Sequence, residues 1–120
     1  MTDTTTPADE TIPVPSGQEV RLLDVIHNEP GPDGLTTRFR FVAPAIAPGG
    51  GVDFETASAD MMHLCQTYAR PRVTSGGPPP SQIVISLSDV PVEFGSAAPE
   101  VTQFFEAYSL DGDTCIWEPF

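Results

Sequence analysis

Polar and apolar side chains alternate between residues 35 and 43, and this period of two is the clearest structural signal in the chain. One side of the run carries Leu35, Thr37, Phe39, Phe41 and Ala43, and the other carries Thr36, Arg38 and Arg40. Such alternation is typical of a β-strand with one buried face, which needs a second layer to cover it. Segment 19–29 is also apolar and β-branched, and the turn-rich PGPDG at 30–34 lies between the two runs. Together they predict a β-hairpin.

A second period, of three to four residues, follows between residues 52 and 70. The apolar positions at this spacing are Phe54, Ala57, Met61, Leu64, Cys65 and Tyr68. They form one stripe along a helix, so we predict one amphipathic helix whose stripe packs against the sheet. Thr56 or Ser58 is expected to cap the start of this helix. Arg70 followed by Pro71 is expected to mark its end, because proline disrupts a helix interior.

Three further strands are predicted after the helix. Segment 82–94 begins with alternating apolar residues, and Asp111-Gly112-Asp113 separates segment 101–110 from segment 114–120. An Asp-Gly pair between two apolar runs is a strong hairpin signal, although residues 101–108 would also fit a short helix. We prefer the strand, which gives the order ββαβββ. This order predicts an α+β fold with one helix packed on a mostly antiparallel sheet.

The chain has 120 residues, which is enough for one domain and too few for two ordinary ones. Residues 1–18 are rich in threonine and proline, so we predict a flexible leader followed by a single domain over 19–120. Docking of Ile12 and Val14 at a sheet edge is the alternative for part of that leader.

The charge balance restricts the partners. The chain has 17 acidic and 5 basic side chains, a net charge of −12 and no lysine. Such a surface repels phosphate backbones and anionic lipids, and no stretch is long enough to span a membrane. We therefore predict no nucleic-acid binding and no membrane insertion. Solubility explains the acidity better than mimicry of a nucleic-acid backbone, because the acidic residues are scattered.

Sequence motifs for common enzymes are absent. There is no phosphate-binding loop, no dinucleotide-binding glycine pattern, no HExxH and no GxSxG. Cys65 and Cys115 lack metal-ligand spacing, and they are interpreted either as two buried thiols or as one disulfide. We accordingly predict no catalytic residue, no metal site and no cofactor.

Two groups of side chains are candidates for binding. Arg38 and Arg40 share one strand face and, with His63, could hold a small anion or serve an enzyme of unrecognised type, although cross-strand pairing with Asp24 or Glu19 explains the arginines better. Aromatic residues near the end of the chain predict a contact surface for another protein. The members of that second group are Phe104, Tyr108 and Phe120. The leading hypothesis is a non-enzymatic domain that binds a protein.

The segments HLCQTYA, QIVISLSD, QFFEAY and CIWEPF, together with VPSGQ, RFRFVAPAI and VDFETA, resemble an uncharacterised family of small proteins from Rhodobacter-like alphaproteobacteria. The resemblance covers about residues 13–120. Some relatives carry an automatic acetolactate synthase label. This chain lacks the length and the diphosphate-binding motif of such enzymes, so the label implies at most an accessory subunit.

The same resemblance bears on the compartment. Several members begin with an export signal, which implies a periplasmic setting and a disulfide between Cys65 and Cys115. The present N-terminus has no basic or apolar region of that kind, so as written it predicts a cytoplasmic protein. A trimmed export signal would instead place the protein in the periplasm. The resemblance implies no established activity and no catalytic residue.

Overall fold

The first two strands form the predicted hairpin. The computed structural model describes residues 11–31, 34–74, 80–93 and 101–118. Strand β1 spans Arg21–Gly31 and strand β2 spans Gly34–Val42, and they pair antiparallel from Arg21 opposite Val42 to Gly31 opposite Gly34. Phe39 and Phe41 lie on the buried face of β2, as the alternation predicts.

The predicted helix is present, but it begins and ends differently from the prediction. Helix α1 spans Phe54–Leu64, a π-helical segment follows over Cys65–Ala69, and helix α2 spans Arg70–Thr74. The cap is neither Thr56 nor Ser58: the Asp53 side chain accepts a hydrogen bond from the backbone N–H of Thr56 at 2.9 Å. That hydrogen bond lowers the pKa of the Asp53 carboxyl.

Pro71 does not end the helical segment, which continues to Thr74. Proline normally breaks an α-helix because its ring clashes with a carbonyl in the preceding turn. Here the preceding turn is π-helical, and the N–H of Arg70 bonds to the carbonyl of Cys65. This wider turn separates the Pro71 ring from the carbonyls before it.

Three more strands complete the sheet. Strand β3 spans Gln82–Ser88, β4 spans Gln103–Asp111 and β5 spans Thr114–Glu118. The strand order is β1-β2-β3-β4-β5; β2 and β3 are parallel, and the other neighbours are antiparallel. The helical segment lies in the connection between the two parallel strands. The predicted α+β class, the order ββαβββ and the strand over 101–110 are therefore confirmed.

The core lies between one sheet face and the helical segment. Its large buried side chains include Phe39, Phe41, Met61, Leu64, Ile83, Ile85, Leu87 and Tyr108. A disulfide joins Cys65 in the π-helical segment to Cys115 on β5, with 6.3 Å between the Cα atoms. Of the two interpretations of these cysteines, the structure therefore has the disulfide. In the portion of the chain that the structure describes, no helix is long and apolar enough to cross a membrane.

Part of the predicted leader packs against the domain. Ile12 and Val14 are buried, and the Ile12 N–H donates to the Val20 carbonyl at 2.7 Å. Asp60 on α1 is fully buried and accepts hydrogen bonds from Ser16 and Gln18. Residues 11–18 thus contact both the core and the helix, while residues 1–10 lie outside the described residues.

Candidate functional site

A groove opens between helix α1 and the last two strands of the sheet. Its volume is about 530 Å³. We call it the α1–β5 groove, and it is lined by Phe54, Glu55, Ser58, Ala59, Met62, Glu106, Tyr108 and Trp117. The first five come from α1, two from β4 and one from β5, so regular secondary structure carries every lining residue.

Strand register places three of these residues on the same side of the sheet. Tyr108 on β4 is directly opposite Trp117 on β5, and Glu106 precedes Tyr108 by two positions. Alternate residues of a strand point to the same face, so all three point toward the helix. The helix contributes Ser58 and Met62, which lie four residues apart on neighbouring turns.

Glu106 is held in the groove by hydrogen bonds from both walls. The Ser58 hydroxyl donates to Oε2 at 2.8 Å, and the Trp117 indole Nε1–H donates to Oε1 at 2.9 Å. The residue is 5% exposed. Each carboxylate oxygen therefore has one donor, and the two donors fix the orientation of the carboxylate.

The Glu106 charge is not paired with a basic side chain inside the described part of the molecule. There the ion pairs join Arg21 to Glu19, Arg40 to Asp24 and Arg70 to Asp113. A buried carboxylate held by two neutral donors retains much of its desolvation cost, because hydrogen bonds offset only part of it.

Tyr108 is a second buried polar group at the groove. The residue is 1% exposed, and its Oη has no hydrogen-bond partner among the residues that the structure describes. Burial, and secondarily the negative charge of Glu106, raises the pKa of Tyr108, so the phenol is neutral at ordinary pH. Its hydroxyl can accordingly both donate and accept.

Large aromatic side chains form the outer walls. Trp117 is 50% exposed and Phe54 is 48% exposed. Phe54 was expected in the buried stripe of the helix, but it is the first residue of α1 and is half-exposed. It packs edge-to-face on Phe104 with ring centroids 5.2 Å apart. The groove therefore has apolar walls at its mouth and a carboxylate inside.

A second, shallower depression lies at the start of α1. Its volume is about 500 Å³, and its lining comes from residues 46–49 and 51–53 together with Phe104. It has no buried charged group among its lining residues, and most of its wall comes from the segment that precedes α1. It offers less for specific binding than the α1–β5 groove.

The three residues predicted for a small-anion site do not come together. Arg38 and Arg40 alternate with the core residues Phe39 and Phe41, so they point to the sheet face opposite the helix that carries His63. Arg40 is 7% exposed; it pairs with Asp24 at 2.7 Å and donates to the carbonyl of Val92. Arg40 thus joins β1 and β2 to the segment that follows β3.

The three aromatic residues that were predicted to contact a partner protein differ in burial and position. Phe104 is partly buried and packs on Phe54. Tyr108 is almost completely buried and belongs to the core, although the residue also lines the groove. Phe120 lies outside the described residues. Among the described residues, Trp117 is therefore the most exposed aromatic side chain on the helix-facing side of the last hairpin.

Comparison with known protein families gives one match. The model of a family of unknown function, DUF6497, matches residues 1–120. The chain belongs to this family. The predicted resemblance to an uncharacterised family is confirmed to that extent. No curated protein and no solved structure matches the chain.

Sequence reasoning missed the importance of Glu106 and of its contact with Trp117. One signal was present: positions 104, 106 and 108 share a strand face, so an acidic residue falls between two aromatic residues on the face that meets the core. Carboxylates are seldom fully buried without a partner. Trp117, which donates to Glu106, is itself half-exposed.

Proposed function

We propose that the protein is a non-enzymatic binding domain and that the α1–β5 groove receives part of a partner protein. The observation that carries the proposal is the position of Trp117 and Phe54, each about half-exposed, on the walls of one groove. Aromatic side chains at the edge of a concave surface supply much of the binding energy in protein interfaces.

The groove is built from elements that are already fixed to each other. The disulfide joins the helical segment to β5 two residues before Trp117. The Gln66 side chain also accepts from the Cys115 N–H at 2.9 Å and donates to the carbonyl of Asp113. A site whose walls do not have to be ordered on binding loses less entropy, which favours affinity.

The disulfide also bears on the compartment in which the protein would meet its partner. Disulfides persist in oxidising environments and are rare in the cytosol. A periplasmic or extracellular setting is therefore the better supported proposal for the protein, and its partner should be sought there.

Interface variants test the proposal. We expect Trp117→Ala and Phe54→Ala to remain folded, since both side chains are half-exposed, and to lose capture of the partner from an extract of the native host. Phe105→Ala is the matched control: it removes an aromatic ring that is 43% exposed on the opposite sheet face. Circular dichroism checks the fold, and mass spectrometry of the captured material identifies the partner.

The control separates specific from general effects. A partner captured by the wild type and by Phe105→Ala, but by neither groove variant, supports the proposal. Equal capture by all four proteins places the interface elsewhere and overturns it.

A further inference from the structure

We propose that the α1–β5 groove takes a lysine side chain of the partner protein, with its ammonium group at the Glu106 carboxylate. This rests on the proposed function and adds the chemistry of recognition. The residues that line the groove supply a buried carboxylate, two exposed aromatic rings and a hydroxyl that has no partner in the described part of the chain, and a lysine side chain complements all three.

The charge of Glu106 is the first argument. The Glu106 residue is 5% exposed, and the donors to its carboxylate among the described residues are the neutral groups of Ser58 and Trp117. An incoming cation would offset the cost of burying that charge. The rest of the molecule also favours a cationic occupant, since the net charge is −12 and no basic residue follows Arg72.

Tyr108 is the second argument. Tyr108 lines the groove, and its buried Oη finds no hydrogen-bond partner within the described segments. An ammonium group has three donors and no acceptor, so it can use a carboxylate and a neutral phenol together. A purely apolar occupant would leave the hydroxyl unpartnered.

The walls of the groove are the third argument. A lysine stem is four methylene groups long and packs well along apolar surface, while its head reaches a polar group. Met62, Ala59 and the ring of Phe54 provide such surface. The Trp117 face can also attract the cation directly, because a cation near an aromatic face is stabilised by the ring quadrupole.

Lysine fits the carboxylate better than arginine. A guanidinium fork binds a carboxylate through both oxygens at once. In Glu106, each oxygen already accepts one hydrogen bond, so a fork would need the second lone pair of both oxygens, whereas an ammonium needs only one of them. The chain itself has no lysine, so the occupant is a different protein rather than a second copy.

Trp117 gives a direct readout, because it is the single tryptophan of the chain and its indole N–H bonds to Glu106. The experiment titrates the full, disulfide-intact protein with three capped pentapeptides, Gly-Gly-X-Gly-Gly, where X is lysine, acetyl-lysine or arginine. The indole N–H resonance is followed by NMR. We expect the lysine peptide to shift it and to bind about tenfold more tightly than the acetyl-lysine peptide.

Variants assign the effect to the groove. Glu106→Gln should weaken lysine-peptide binding by about tenfold, and Tyr108→Phe by a few-fold. Glu19→Gln removes the same charge from the opposite edge of the sheet, where Glu19 is exposed and pairs with Arg21, and should change binding less than twofold. Tyr108→Phe keeps the test valid if Glu106→Gln does not fold, because it removes an atom that has no partner.

Three results would overturn the inference. These are equal binding of the lysine and acetyl-lysine peptides, an equal loss in Glu106→Gln and Glu19→Gln, and no indole shift up to about 10 mM lysine peptide. The proposed function fails separately. If a partner is captured through Trp117 and Phe54 while Glu106→Gln captures it equally well, the groove is an interface but does not recognise lysine.

Discussion

The β4 side of the α1–β5 groove contains two polar side chains that an ordinary core would exclude. Glu106 and Tyr108 alternate with Ala107 on a strand whose inner face otherwise meets apolar side chains. A buried hydroxyl without a partner costs stability, and so does a buried carboxylate without a cation. Such costs are concentrated at functional sites, where binding of a ligand offsets them.

This view predicts that Tyr108→Phe stabilises the free protein. The substitution removes the buried Oη that has no partner and leaves the ring in place, so unfolding should cost about 1 kcal/mol more. Urea denaturation measures the change. Tyr68→Phe is the control. Within the described residues, the Tyr68 hydroxyl is not a buried atom that lacks a hydrogen-bond partner, so its removal should give no such gain in stability. A loss of stability in Tyr108→Phe would show that the hydroxyl is bonded in solution.

At the scale of elements, helix α1 has two roles. One part of it forms a wall of the groove, and Asp60 connects it to the N-terminal segment 11–18. The Asp60 carboxylate accepts from the Ser16 N–H at 3.0 Å, the Ser16 hydroxyl at 2.5 Å and the Gln18 amide at 2.8 Å. These three hydrogen bonds give this fully buried carboxylate a structural role, whereas the Glu106 carboxylate accepts two.

Removal of that carboxylate should release the segment. In Asp60→Ala the three donors lose their acceptor, and we expect a loss of about 3 kcal/mol in the free energy of unfolding. Hydrogen exchange at the Ile12 N–H, which bonds to the Val20 carbonyl, should become faster than exchange in β3. Ser16→Ala removes one of the three donors and should show a smaller effect. Unchanged exchange at Ile12 would mean that the apolar contacts of Ile12 and Val14 hold the segment alone.

Local sequence patterns were sufficient to predict the secondary-structure elements, but they were not sufficient to predict which residues form the α1–β5 groove. Periods of two and of three to four residues are properties of neighbouring positions, so the hairpins, the helix and the ββαβββ order follow from them. The passage of the helix through Pro71 depends on a π-helical turn that no residue type marks. The Glu106 contacts to Ser58 and Trp117 join three elements, and only the packed fold brings those side chains together.

At the scale of the whole molecule, the disulfide cross-links the helical layer to the sheet. Cys65 and Cys115 are 50 residues apart in sequence, and the segment between them includes α2, β3 and β4. A cross-link over so long a loop strongly reduces the conformational entropy of the unfolded chain. It also holds β5, an edge strand of five residues, beside the helix. The Trp117 wall of the groove belongs to that strand.

We therefore expect the double variant Cys65→Ala/Cys115→Ala to lose about 4 kcal/mol in the free energy of unfolding, through the greater entropy of its unfolded chain. Urea denaturation of the oxidised protein and of the variant measures this loss. Intact mass after alkylation, with and without reductant, verifies that the wild type carries the bond. The variant should also bind the lysine peptide more weakly, because β5 is no longer tied to the helix. An equally stable variant with full binding would show that the core and the Gln66 contacts position β5 without the disulfide.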